Sequence, residues 1–163
     1  MVLIKKIYHS PLGEMSIIAN NEGVIGIWFV HQTYFEQGIS EKPIKGSTEA
    51  IDRVIDWLEA YFSGRKPSAD NLPLIIQGSS FQKKVWKALR TIPYGQLTTY
   101  GELAKQLDCQ SPQAVGTAIG HNPFSMVIPC HRVLSSAGKL SGYAGGLDKK
   151  RWLLTHENIT FVP

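Results

Sequence analysis

Residues 99–120 read TYGELAKQLDCQSPQAVGTAIG, and the fold turns on this stretch. Thr99 followed by Glu102 is a capping-box pattern, a hydroxyl for the third helical N–H and a carboxylate that can reach back. It predicts a short helix running to Leu107. Asp108-Cys109-Gln110 makes a tight connection. Ser111 then caps a second helix with Pro112 at its first position, where a missing N–H costs nothing. A short helix, a three-residue turn and another helix form a helix-turn-helix unit. In the second helix Val115, Ala118 and Ile119 fall on one face. Gln113, Gly116, Thr117 and Gly120 fall on the opposite one at i, i+3, i+4 and i+7. That second face is almost bare of side chains. Its glycines either permit close helix packing or let the backbone approach something flat or grooved. A helix reading base edges in the major groove carries Arg, Asn or Gln in numbers, and this one has a single Gln113. Non-specific or minor-groove engagement fits better.

Upstream, Ser79-Ser80-Phe81-Gln82 is another capping box, and Phe81, Val85, Leu89 and Ile92 share a helical stripe that ends at Pro93-Tyr94-Gly95. The N-terminal part has a different texture. Residues 3–9, 15–20 and 24–30 are predicted strands of a small antiparallel sheet, joined through Ser10-Pro11-Leu12-Gly13 and Asn20-Asn21-Glu22-Gly23. Residues 31–46 read as loop. Residues 47–62 read as a helix with Ile51, Val54, Ile55, Leu58 and Phe62 at helical spacing, and Gly64 stands where a C-terminal cap belongs. Strands first and helices after predict an α+β fold.

Downstream lies Ile128-Pro129-Cys130-His131-Arg132-Val133, with one of the chain's two cysteines. Pro129 fixes its own φ and removes a donor just before the thiol. A thiol is a strong nucleophile only as thiolate, and a neighbouring histidine is one way to ionise it. Taken alone, the same cysteine also reads as an inert small hydrophobe. Neither cysteine belongs to a CxxC pair, so no zinc site or disulfide framework is indicated, and a reducing, cytoplasmic setting fits. The N-terminus does not read as a signal peptide, and no apolar run approaches membrane length, so no membrane association is expected. Charge is unevenly spread. Residues 1–77 carry 7 Lys and Arg against 9 Asp and Glu, whereas residues 78–163 carry 10 against 4. A basic C-terminal half points to a polyanion partner.

Several landmarks coincide in order and spacing: Phe81-Gln82-Lys83-Lys84-Val85-Trp86, Ile92-Pro93-Tyr94-Gly95, Thr99 to Ala104, Ala114-Val115-Gly116, Asn122-Pro123, Pro129 to Val133, and Ser141-Gly142-Tyr143-Ala144-Gly145-Gly146-Leu147. Together they closely resemble the O6-alkylguanine-DNA alkyltransferases. His9 to Gly13 and Ala60 to Gly64 are similar to the family's N-terminal domain. The resemblance implies an RNase H-like sheet-plus-helix domain, residues 1–74, packed on a mainly helical domain with the helix-turn-helix, residues 75–163. It implies repair of double-stranded DNA, bound through the minor groove, by flipping an O6-alkylated guanine into a pocket. The alkyl group then moves irreversibly to Cys130, in a single turnover, with O4-alkylthymine a further candidate lesion.

In that reading Cys130 is the nucleophile and His131 the general base, acting through a water. Glu157 orients His131, and Tyr100 assists departure of guanine O6. Gln113, Ala114, Gly116 and Thr117 on the recognition helix, with Asn122, Arg132, Val133, Tyr143 and Ala144, contact DNA or the flipped base. Neither cofactor nor metal is expected: the N-terminal half has His9 and His31 but no cysteine. The free protein is expected to be a monomer. One position departs from the family pattern, since Gln113 stands where the family places an arginine that fills the gap left by the flipped nucleotide. Glutamine can occupy the gap but supplies no cationic stacking. Two other readings stay open: a lesion-binding module that does not transfer, and a cysteine hydrolase using Cys130 and His131.

Overall fold

The computed structural model describes residues 2–163. The chain forms two compact units, one ending at Gln77 and the other running from Gly78 to Pro163.

In the first unit β1 (Ile4–Ser10), β2 (Gly13–Ala19) and β3 (Val24–Phe29) form an antiparallel meander, with a register shift between Ile18 and Ala19. A two-residue strand β4 (Ile44–Lys45) adds to β1 in parallel, giving the order β3-β2-β1-β4. Part of the segment expected to be loop is therefore strand. Two paired residues carry too little pattern to be seen in sequence.

β2 is buried from Met15 to Ala19, including Ser16, so both faces of the sheet are covered. On one face lies helix α1 (Glu49–Phe62), whose Ile51, Val54, Leu58 and Tyr61 are buried. On the other lies the 31–39 loop: Glu36 accepts from Ser16 Oγ at 2.8 Å and pairs with Lys5, and Phe35 meets Trp28 edge-on. Trp28 lies flat over Gly26, where any Cβ would overlap its ring. Helix α1 begins at an N-cap Thr48, one residue after the predicted start, because the Thr48 hydroxyl accepts from Ile51 N. It ends in a Schellman motif: Arg65 N–H reaches Ala60 O, Gly64 N–H reaches Tyr61 O, and Gly64 takes φ +91°.

In the second unit α2 (Ser80–Leu89) starts with the full capping box of Ser79 and Gln82. Trp86 donates its indole N–H to Ala118 O at 2.8 Å, tying α2 to α4 (Pro112–Gly120). α3 (Tyr100–Gln106) and α4 are the predicted helix-turn-helix, with Asp108 at φ +53° in the turn. The box opening α3 is only half made. Thr99 caps Glu102 N–H, but the Glu102 carboxylate takes the Thr98 hydroxyl instead of the backbone. Just before α3, β5 (Thr98–Thr99) pairs in parallel with β6 (Val133–Leu134). That pairing brings the start of α3 beside a single 3₁₀ turn at Cys130–Arg132. α5 (Leu147–His156) closes the unit, its Leu154 packing with Leu134 and Ile159.

The Gly26–Trp28 overlap generates a stability prediction. Gly26→Ala forces the Trp28 ring off its strand and should cost about 2 kcal/mol by denaturant unfolding. Unfolding at the wild-type midpoint would show that the ring has somewhere else to go.

Candidate active site

Residues 124–134 are all buried, yet only the last few have regular structure. Buried backbone outside helix and sheet needs partners. Asn122 supplies them: its side-chain oxygen accepts from Phe124 N–H at 2.9 Å, and its amide donates to Ile128 O at 2.9 Å. This holds the end of α4 to the segment that carries Cys130.

Cys130 opens the 3₁₀ turn and is 6% exposed. Burial pushes its thiol up, while Asn122, the Lys150 charge, the local backbone and Tyr143 pull the other way without overcoming it. The thiol of the resting protein is thus protonated at neutral pH, and its ionisation needs a base. His131, the next residue, points elsewhere. Its Nε2 lies 2.6 Å from Glu157 Oε2, both side chains wholly buried. Its Nδ1 is buried and meets no protein partner among the described residues. Burial pushes the imidazole down, against the hydrogen bond and charge of Glu157, and Arg132 and Lys150 add to the lowering.

Glu157 is the C-terminal cap of α5. Besides His131, its carboxylate accepts Arg132 Nε at 2.7 Å, Arg132 Nη2 at 3.2 Å and the Gly95 N–H at 3.0 Å. Burial by itself would raise this carboxyl. The hydrogen bonds and charges of His131 and Arg132 outweigh that and hold it well below the usual carboxylate range. Arg132 was expected to contact DNA or the flipped base, and its position corrects that expectation. The guanidinium is nearly buried and wholly engaged, with Glu157, with Ile92 O at 2.7 Å, and over the Tyr94 ring. A basic residue reads as a surface contact in sequence until a buried acid claims it.

Tyr100 is the first residue of α3. Its hydroxyl lies 3.5 Å from Gly142 O, and its ring lies alongside Gly116, where an added Cβ would come within 3.8 Å. One of the four residues on the supposedly bare face of α4, Gly116, is therefore lined by a tyrosine. Tyr143 has a buried hydroxyl close to the thiol, without a hydrogen bond of good geometry. Burial raises both tyrosines, so both are neutral donors at neutral pH. The N–H groups of Tyr143 and Ala144 have no acceptor among the described residues. Gln113 and Thr117 are exposed on α4, the Thr117 hydroxyl turned back to Gln113 O at 3.0 Å, while Ala114 is half-buried and donates its N–H to Ser111.

Lys150 escaped the sequence reading. It is buried in α5 and directs its ammonium to three carbonyls, Val133 at 2.6 Å, Ser141 at 2.7 Å and Gly142 at 3.2 Å, so the Val133 oxygen is already engaged. Burial brings its pKa down to about 8, with the Cys130 charge opposing. The signal was present: Lys150, Leu153, Leu154 and Glu157 stand at i, i+3, i+4 and i+7, a stripe that is buried throughout. Among the described residues no three His, Cys, Asp or Glu side chains gather as a metal site would need, and no helix is long and apolar enough to cross a membrane.

The second unit is thus a helix-turn-helix domain that carries a buried thiol beside a histidine–carboxylate pair. Two family models match the chain: the ribonuclease-like domain of 6-O-methylguanine DNA methyltransferase over residues 3–76, and the DNA binding domain of the same protein over residues 80–159. The chain belongs to the 6-O-methylguanine DNA methyltransferase family. It is 42% identical to the methylated-DNA--protein-cysteine methyltransferase of Mycolicibacterium paratuberculosis, over 91% of this chain and 88% of that one. With the Shigella flexneri protein of the same name it shares 39% identity over 98% of both. The crystal structure of Mycobacterium tuberculosis O6-methylguanine methyltransferase superposes with a TM-score of 0.82 at 37% identity, covering 96% of this chain and 93% of that one. A second structure, of Mycobacterium tuberculosis OGT in complex with DNA, gives 0.80 at 35% identity over 96% and 92%.

The buried carboxylate sets a pH-dependent prediction. Glu157→Gln should lower stability by about 3 kcal/mol at pH 7, because it leaves Arg132 buried without its counter-charge. The folded carboxyl lies below its ordinary value of 4.5, so its contribution is complete above that pH and is lost as pH falls below it. Urea unfolding of both proteins from pH 7 to pH 3 should show a gap that is constant at first and then narrows. A gap that does not depend on pH would contradict the assignment.

Proposed function

We propose that this protein repairs DNA by moving the alkyl group of an O6-alkylguanine to Cys130, once per molecule. The observation that carries the reading is the disposition of His131: its Nε2 is committed to Glu157, and its Nδ1 is left open within the same buried turn as the thiol. No direct bond joins Cys130 to His131, so a water relays the proton. The Cys130 S–H gives its proton to Nδ1 through that water. The sulfur electron pair forms the new S–C bond as the C–O6 bond breaks, and guanine O6 leaves with the bond electrons. Tyr100, held neutral, donates toward the leaving guanine. The unpaired N–H groups of Tyr143 and Ala144 supply further donors to the base. The product is a thioether, which no group of the site can hydrolyse, and this makes the reaction single-turnover. O4-alkylthymine offers the same leaving-group chemistry.

The partner is duplex DNA. The family relationship supports it, as does a relative crystallised with DNA. The exposed Gln113 and Thr117 with Gly116 present a low-relief surface suited to the minor groove. Flipping costs a few kcal/mol, least for a poorly paired damaged base. A thiol that must remain free suits a reducing cytoplasm, and a single chain holds every group the reaction uses.

The direct test is intact mass after mixing with a duplex containing O6-methylguanine. One stoichiometric methyl adduct is expected, absent from Cys130→Ser. Binding without an adduct would instead mark a lesion-binding module, and turnover of an ester a hydrolase. A second test concerns Gln113. Gln113→Arg should tighten binding to lesion duplex about tenfold at low salt, through added cationic stacking and phosphate attraction. The rate with free O6-benzylguanine should not change. Equal DNA affinity for the two proteins would show that glutamine fills the position as well as arginine.

A further inference from the structure

The Glu157 carboxylate is saturated. Oε1 takes Arg132 Nε and the Gly95 N–H, and Oε2 takes His131 Nε2 and Arg132 Nη2. A carboxylate offers about four lone-pair positions, and all four are in use. Three of the four donors cannot give up a proton under ordinary conditions, because a backbone amide and a guanidinium stay protonated. Arg132 is itself held in place, since its Nη1 donates to Ile92 O at 2.7 Å and its face lies over Tyr94.

We infer that Arg132 is a positioning residue for the reaction: with the Gly95 N–H it pins both oxygens of Glu157, so that His131 keeps its Nε2 proton and presents Nδ1 alone to the thiol. This rests on the alkyl-transfer reading above. The proton balance follows. Moving the Nε2 proton onto Glu157 would set a new O–H against an Arg132 N–H, so the proton leaving Cys130 stays on the imidazole as a cation paired with Glu157. Arg132 also opposes that cation by its charge. The charged groups acting on His131 are Glu157 at the end of α5, Lys150 from the same helix and Arg132 from its own turn; Cys130 is its chain neighbour, Tyr143 faces Cys130 and Glu157, and Tyr94 faces Glu157 and Arg132. Removing Arg132 leaves Glu157 as the dominant neighbour, and the imidazole becomes easier to protonate.

The experiment follows the His131 imidazole by NMR titration in the whole protein, alongside the pH profile of single-turnover alkylation by free O6-benzylguanine. In Arg132→Gln the His131 midpoint and the acid limb of the rate should both move up by about one pH unit, with the plateau about tenfold lower. Arg132→Lys keeps the charge and loses the fork, so it should hold the wild-type midpoint and still react about fivefold more slowly. It also serves should the glutamine variant not fold. A uniformly slower Arg132→Gln with unmoved midpoints would reduce Arg132 to a structural support and overturn the inference, as would a wild-type rate in Arg132→Lys. Failure of the wild type itself to take an alkyl group would instead sink the underlying reading, and the NMR midpoints would still judge Arg132.

Discussion

An ionised carboxylate with no exposure to solvent is the constraint around which the second unit is organised. Glu157 sits at the end of α5, and its donors come from the 93–95 turn and the 3₁₀ turn. None of these segments is adjacent to another in the chain. A buried charge costs several kcal/mol unless geometry is good and every lone pair is answered, so each donor is as necessary as the acid. The fold therefore has to bring the turn after α2, the thiol-bearing turn and the end of α5 to one point. β5–β6 pairing and the Asn122 tie bring in the remaining pieces, Tyr100 and the end of α4.

The same burial shapes the chemistry. An exposed thiol would be partly ionised and open to any electrophile. Here burial keeps the Cys130 thiol protonated, and the neighbouring His131 imidazole is held by the buried Glu157 carboxylate. Lys150 acts as a strap. With its ammonium directed at carbonyls of β6 and the 141–142 loop, it holds the loop that carries Tyr143 and Ala144 against the thiol segment. The tyrosines stay neutral for the same reason the thiol does.

The caps at Ser79, Thr99 and Ser111 are local rules, satisfied by residues three apart, and they marked three helix starts. The return arm of the Thr99 box went elsewhere, for the Glu102 carboxylate takes the Thr98 hydroxyl. β4 escaped notice because two residues have no periodicity. Arg132 was expected to contact DNA or the flipped base, since an arginine beside a histidine in sequence says nothing of a carboxylate that lies twenty-five residues on. Lys150 was lost in a Lys-Lys-Arg run that resembles a solvated helix face. Only its register with Leu153, Leu154 and Glu157 separated it from its neighbours.

The amino-acid sequence by itself determined the order of elements and the helix-turn-helix, and it singled out Cys130 as the candidate nucleophile. These depend on short-range pattern and on a set of motifs whose order carries information. Tertiary structure alone decided which groups surround the thiol. Burial, charge pairing and the choice of partner for each donor are properties of segments that meet only after folding. A thiol's protonation, a lysine's strap and an arginine's grip on a distant carboxylate all arise from that meeting.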